Sequence, residues 1–159
     1  MSKLPTNELE QWLEWAGTRL IAMPGPRVGP SESTGWWPDY SQDRFEIIEF
    51  RARIALRVAA PGPHEIGLME EILDLPSLIG NNANDHDCQV RKIVRRRTLL
   101  HPITNRRLWH WGRLADEYGK SQNTLRSWYN KGLSQICRRL PDDEARSIQK
   151  QFDLNVMAF

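Results

Sequence analysis

Apolar residues recur along the chain at helical spacing in several blocks and nowhere alternate with polar ones at the strand period, so the pattern predicts an all-α protein. Leu9, Trp12, Leu13, Ala16 and Leu20 share one face of a first helix, which Thr6 or Asn7 can cap and which should end near Met23, ahead of Pro24 and Pro26. Residues 23–40, MPGPRVGPSESTGWWPDY, carry four prolines and three glycines, so a loop or crossover is expected there. Trp36 and Trp37 interrupt its polarity, either folded back on the core or anchoring a partner. Phe45, Ile48, Ala52, Leu56 and Ala59 give a second helix capped by Ser41, with Arg44, Arg51, Arg53, Glu46 and Glu49 as solvated pairs opposite. A third runs from Pro63 through Ile66, Met69, Ile72 and Leu73 toward Pro76, followed by the turn-rich GNNANDHDC.

The C-terminal half repeats the pattern with a different polar face. VRKIVRRRTLL places Val90, Ile93 and Val94 on the packing side of a helix otherwise made of bases. In Arg106–Leu140, Leu114, Ala115 and Tyr118 form the stripe of a short helix, and Gly119 can take a positive φ at the turn. Ser121 caps the next helix, whose Leu125, Trp128, Leu133 and Ile136, with Gly132 and Leu140 beside them, face inward. Small, glycine and apolar positions at Ala115, Gly119, Leu125 and Trp128 have the spacing of a helix-turn-helix; Lys120, where such motifs usually carry an apolar residue, departs from it. Trp109 and Trp111 are expected in the core rather than as platforms for bases.

Composition narrows the class. With 159 residues, 40% hydrophobic and 26% charged, the chain has the size and balance of one globular domain. No apolar run approaches the roughly 20 residues of a membrane span. The N-terminus MSKLPTNELEQW lacks the apolar stretch of a secretory signal, so a cytoplasmic protein is expected. Cys88 and Cys137 have no CxxC partner and read as free thiols, Cys137 packed. Charge changes the picture more. Residues 1–87 hold 7 bases and 14 acids, whereas residues 88–140 hold 13 bases and 2 acids, and residues 141–159 hold 2 bases and 4 acids. A concentration of like charge on about fifty residues points to a polyanionic partner.

Those bases give the candidate chemistry. The face that the apolar stripe leaves free presents Gln122, Asn123, Arg126, Ser127 and Asn130, residue types able to read base edges: arginine forks onto guanine, and asparagine or glutamine onto adenine. Arg91, Lys92, Arg95, Arg96, Arg97, Arg113, Lys120, Ser121, Thr124, Lys131, Arg138 and Arg139 are assigned to phosphates, which set register and affinity. No catalytic constellation, phosphate loop or cofactor motif is found, and no enzymatic role is expected. Asp85, His86, Asp87 and Cys88 are metal-ligand types, but four consecutive side chains point apart, so a loop with an aspartate helix cap is expected instead of a metal site. RNA is disfavoured for want of an aromatic sheet signature or a GxxG loop.

LADEYGKSQNTLRSWYNKGLSQICRRL, 27 of the 159 residues, resembles the helix-turn-helix of sigma-factor region four and of response-regulator output domains. The order PGPHEIGLMEEIL, basic helix, then this motif resembles uncharacterised helix-turn-helix proteins of alphaproteobacterial and phage genomes, phage late-gene regulators and small terminase subunits. The resemblance implies binding to double-stranded DNA, as a transcriptional regulator, as a packaging recognition subunit, or as an adaptor on RNA polymerase. The expected organisation is an acidic helical assembly region (1–84), a basic DNA-binding domain (85–140) and a C-terminal tail (141–159). Pairing of first helices through Trp12 and Leu13 would make a homodimer whose recognition helices meet half-sites about 34 Å apart.

Overall fold

A computed structural model describes residues 4–22, 61–80, 84–101 and 104–157. The expected proline-rich loop with Trp36 and Trp37, and the expected helix from Ser41, lie outside the described residues. Those described form six α-helices: α1 (Thr6–Ala22), α2 (Pro63–Asp74), α3 (Asp85–Arg97), α4 (Trp111–Tyr118), α5 (Gln122–Arg139) and α6 (Asp142–Met157). Among them the only β contact is an isolated antiparallel bridge between Leu100 and Arg107, so the all-α expectation holds.

The faces follow the apolar spacing. In α1 the five expected residues are all buried, joined by Ile21 and Gly17. Its first turn closes on the Pro5 carbonyl, which accepts from the Glu8 and Leu9 N–H groups at 3.2 and 3.3 Å, so Thr6 and Asn7 lie inside the helix rather than capping it. Gly17 sits where α1 crosses the end of α3: a Cβ there would run into the Thr98 carbonyl. In α2, Leu68, Met69, Ile72 and Leu73 point inward, and the Glu65 carboxylate accepts from the Gly62 N–H at 3.0 Å to hold the first turn. Pro76, expected to end this helix, falls in a 3-10 turn at Leu75–Leu78. The cap of α3 is Asn84, whose side chain accepts from the His86 N–H at 3.0 Å; Asp85 is already helical, contrary to the expected aspartate cap.

One hydrophobic cluster runs from Leu9 through the 3-10 turn and the basic segment to Ile148. α1 packs on both α2 and α5, so the core does not break near residue 84. Residues 142–157, expected as a tail, are helical. Ile148 is fully buried, and the Phe152 ring lies 6.5 Å from Trp12 and 5.7 Å from Trp15. Trp12 Nε1 donates to Gln149 Oε1 at 3.2 Å. The expected dimer contact is thereby corrected: Trp12 and Leu13, 1% and 0% exposed, are sealed within a single chain.

A candidate nucleic-acid interface on helix α5

The connection between α4 and α5 is built by local chemistry. His110 caps α4, its Nδ1 accepting from the Arg113 N–H at 3.1 Å. The helix ends at Gly119, whose φ of 62° and ψ of 30° lie in the left-handed region that glycine enters without steric penalty. Lys120, exposed, follows, and Ser121 caps α5 by accepting from the Thr124 N–H at 3.2 Å. The two hydroxyls, Ser121 Oγ and Thr124 Oγ1, are 2.8 Å apart. Both groups assigned to phosphates thus bond each other at the helix start.

α5 divides cleanly into two faces. Leu125, Tyr129, Gly132, Leu133, Ile136 and Cys137 are buried, with Leu140 just beyond. Trp128 is half-buried at the edge of the stripe, where the His86 ring meets it edge-on at 4.5 Å. Tyr129, absent from the expected stripe, takes the central position. Opposite, Gln122, Asn123, Arg126, Ser127, Asn130 and Lys131 are all exposed. Further along, Ser127, Asn130, Lys131, Ser134, Gln135 and Arg138 line an open groove. No carboxylate interrupts this face. Among the described residues Lys120, Arg126, Lys131 and Arg138 pair with no acid.

Five of the twelve residues assigned to phosphates have other work. Arg91, Arg96 and Arg97 are 8%, 4% and 8% exposed. Arg91 Nε donates to the Ile79 carbonyl at 2.7 Å. The Arg96 guanidinium lies 4.3 Å from the Trp109 ring centre, 3.9 Å from the Glu117 carboxylate and 3.4 Å from the Tyr118 hydroxyl. Arg97 Nη1 donates to the Trp109 carbonyl at 3.1 Å and its guanidinium covers the Trp111 ring at 4.2 Å. Burial, and then the neighbouring Arg107 charge, push the Arg97 pKa down to about 10, against attraction from Tyr129, Glu10 and Glu14. Arg113 stacks on the Trp109 ring at 3.8 Å and donates to the Leu108 carbonyl. Arg139, although exposed, spends its Nη1 on the Leu78 and Gly80 carbonyls at 2.7 and 2.9 Å. For Arg91, Arg96, Arg97 and Arg113 the physical reason is shared: a guanidinium leaving water needs carbonyl acceptors or an aromatic face, and these four find them within the chain. Arg139 stays in water and ties down two carbonyls from the surface. Lys92 and Arg95 are half-buried; Lys120, Lys131 and Arg138 remain fully on the surface.

Sequence reasoning missed the network beneath α5. The Tyr129 hydroxyl donates to Glu10 Oε1 at 2.7 Å, and Arg107 pairs with Glu14 and, at 3.5 Å, with Glu10. Burial and the Glu10 hydrogen bond raise the Tyr129 pKa well above its ordinary value. The Trp111 ring meets Tyr129 edge-on at 5.5 Å. The interleaving of RRR at 95–97 with WHW at 109–111 was the available signal, since arginine and tryptophan pair through the ring quadrupole. Trp109 is buried and Trp111 half-buried, as expected of core aromatics.

Among the described residues no cluster of three or more His, Cys, Asp or Glu side chains is placed to hold a metal ion, and no helix is long and apolar enough to cross a membrane. Compared with protein-family models, curated proteins and solved structures, the chain has no match.

Proposed function

We propose that the protein binds double-stranded DNA with base preference, as a transcriptional regulator, with α4 and α5 acting as a helix-turn-helix and α5 entering the major groove. The observation that carries this reading is the exposed, acid-free face of α5 that starts at the Ser121 cap and bears Gln122, Asn123, Arg126, Ser127 and Asn130. Side chains one turn apart on such a face reach successive base edges, and a bidentate arginine or amide contact discriminates by about 1–3 kcal/mol per base pair. Lys120, Lys131 and Arg138 flank that face and remain available to phosphates. The buried arginines support the helix from within instead.

The test is selection of bound fragments from random duplex DNA, followed by affinity measurements on the selected sequence and on a scrambled one. Arg126→Ala and Asn130→Ala are expected to reduce the preference for the selected sequence about tenfold while leaving scrambled binding nearly unchanged. Lys131→Ala is expected to weaken both alike and to lower the salt slope by about one phosphate contact. A wild-type protein that enriches no sequence and binds no duplex at low salt would refute the reading.

A further inference from the structure

The exposed polar residues of α5 are not equally free to move. Arg126 lies with its guanidinium carbon 5.6 Å from the centre of the Trp111 ring, while Asn123, Ser127, Asn130 and Lys131 show no such ring contact among the described residues. The ring itself is held. Arg97 covers it at 4.2 Å, Tyr129 meets it edge-on at 5.5 Å, and the Tyr129 hydroxyl is tied to Glu10 on α1. Arg97 is anchored to the Trp109 carbonyl, and Arg107 pairs with the same Glu10 carboxylate and with Glu14. The outermost guanidinium of this chain of contacts is the one that faces solvent.

From this geometry we infer that Trp111 is a positioning residue that orders Arg126 for bidentate recognition of a guanine, so that a G·C pair is the most strongly specified position of the duplex bound by α5. The inference rests on the DNA-binding reading above and deepens it. An arginine side chain loses considerable rotamer freedom when it locks onto two acceptors of one base. A cation–π contact at 5.6 Å to a ring itself held by Arg97 and Tyr129 restricts the guanidinium and removes part of that loss before the base arrives, which raises discrimination at that base and not at others. Attraction to the ring leaves the N–H donors of the guanidinium edge for the base. A lysine at the same place keeps the charge and loses the fork.

Two measurements test this on the full chain. In the free protein, heteronuclear relaxation should find the Arg126 Nε–H more ordered than that of Arg138, a surface residue without a ring contact among the described residues, and the difference should vanish in Trp111→Leu. On duplexes carrying every single base substitution of the selected site, the wild type should prefer guanine at one position by about tenfold. Arg126→Lys should abolish the preference there and keep the others, with an unchanged salt slope. Trp111→Leu should reduce that preference about two- to fivefold, and Trp111→Phe should retain most of it. Arg126 as mobile as Arg138 in the free protein would overturn the inference whether or not DNA is bound. So would a Trp111→Leu loss spread evenly over all positions, the mark of a merely structural role. Failure of the wild type to bind any duplex, with Arg126 ordered on Trp111, would instead sink the DNA-binding reading and the guanine assignment with it. If Trp111→Leu does not fold, Arg126→Lys and Trp111→Phe with the relaxation data still decide.

Discussion

A guanidinium that leaves water needs carbonyls, carboxylates or an aromatic face, and Arg91, Arg96 and Arg97 each find them. They are held as structural cations. Arg96→Ala should therefore lower the melting temperature, at a cost of about 1–3 kcal/mol, and, on the proposed DNA-binding reading, leave the salt slope of duplex affinity unchanged. Lys131→Ala should do the reverse; thermal denaturation and a salt titration on the two variants separate them. Periodicity put Val90, Ile93 and Val94 on the packing side and left these bases for phosphates; it did not show that Ile79 would take Arg91 or that Trp109 and Trp111 would cover Arg96 and Arg97, because each contact spans twelve or more residues of chain. Glu71 gives a pH test. Burial, and secondarily the Glu144 charge, raise its pKa above 4.5, so the native state holds the proton more tightly than the unfolded chain. Its contribution to stability is then lost as pH rises through that raised value. Glu71→Gln should raise the melting temperature at pH 7, and the gain should vanish below about pH 4.

The elements owe their ends to single residues. Gly119 has a φ of 62° with open space around its missing side chain, so Gly119→Ala should cost about 1 kcal/mol through backbone strain alone. Ser121→Ala, which removes the acceptor of the Thr124 N–H, should cost about as much. Gly17→Ala should cost more, about 2–3 kcal/mol, because the added carbon meets the rigid Thr98 carbonyl, whereas at Gly119 it meets nothing. Chemical denaturation of the three variants gives the order. The turn glycine and the serine cap were legible because their physics is local. The α6 helix was legible too, had Ala145, Ile148 and Phe152 been read as a stripe of helical spacing instead of the end of a tail. Asn84 took the cap expected of an aspartate because either side chain can accept from the first-turn N–H groups. Gly17 gave no such signal; its role depends on a helix from elsewhere in the chain.

At the scale of the whole molecule, the acidic and basic parts share one hydrophobic cluster. Glu10 and Glu14 of α1 meet Arg107 and Tyr129 at its partly exposed edge, so the opposed charges partly neutralise each other within the chain. Residues 85–140 expressed alone should lose the cooperative unfolding of the full chain, and removal of residues 141–159 should lower its melting temperature by uncovering Trp12; calorimetry checks both. Helix positions, buried stripes and the polar face of α5 could all be read along the chain, since a 3.6-residue period, a glycine cap and a serine cap act over a few neighbouring residues. Which cations reach solvent could not. A guanidinium's fate turns on whether a ring or carbonyl distant in sequence comes within about 4 Å, and that is set only when the helices pack.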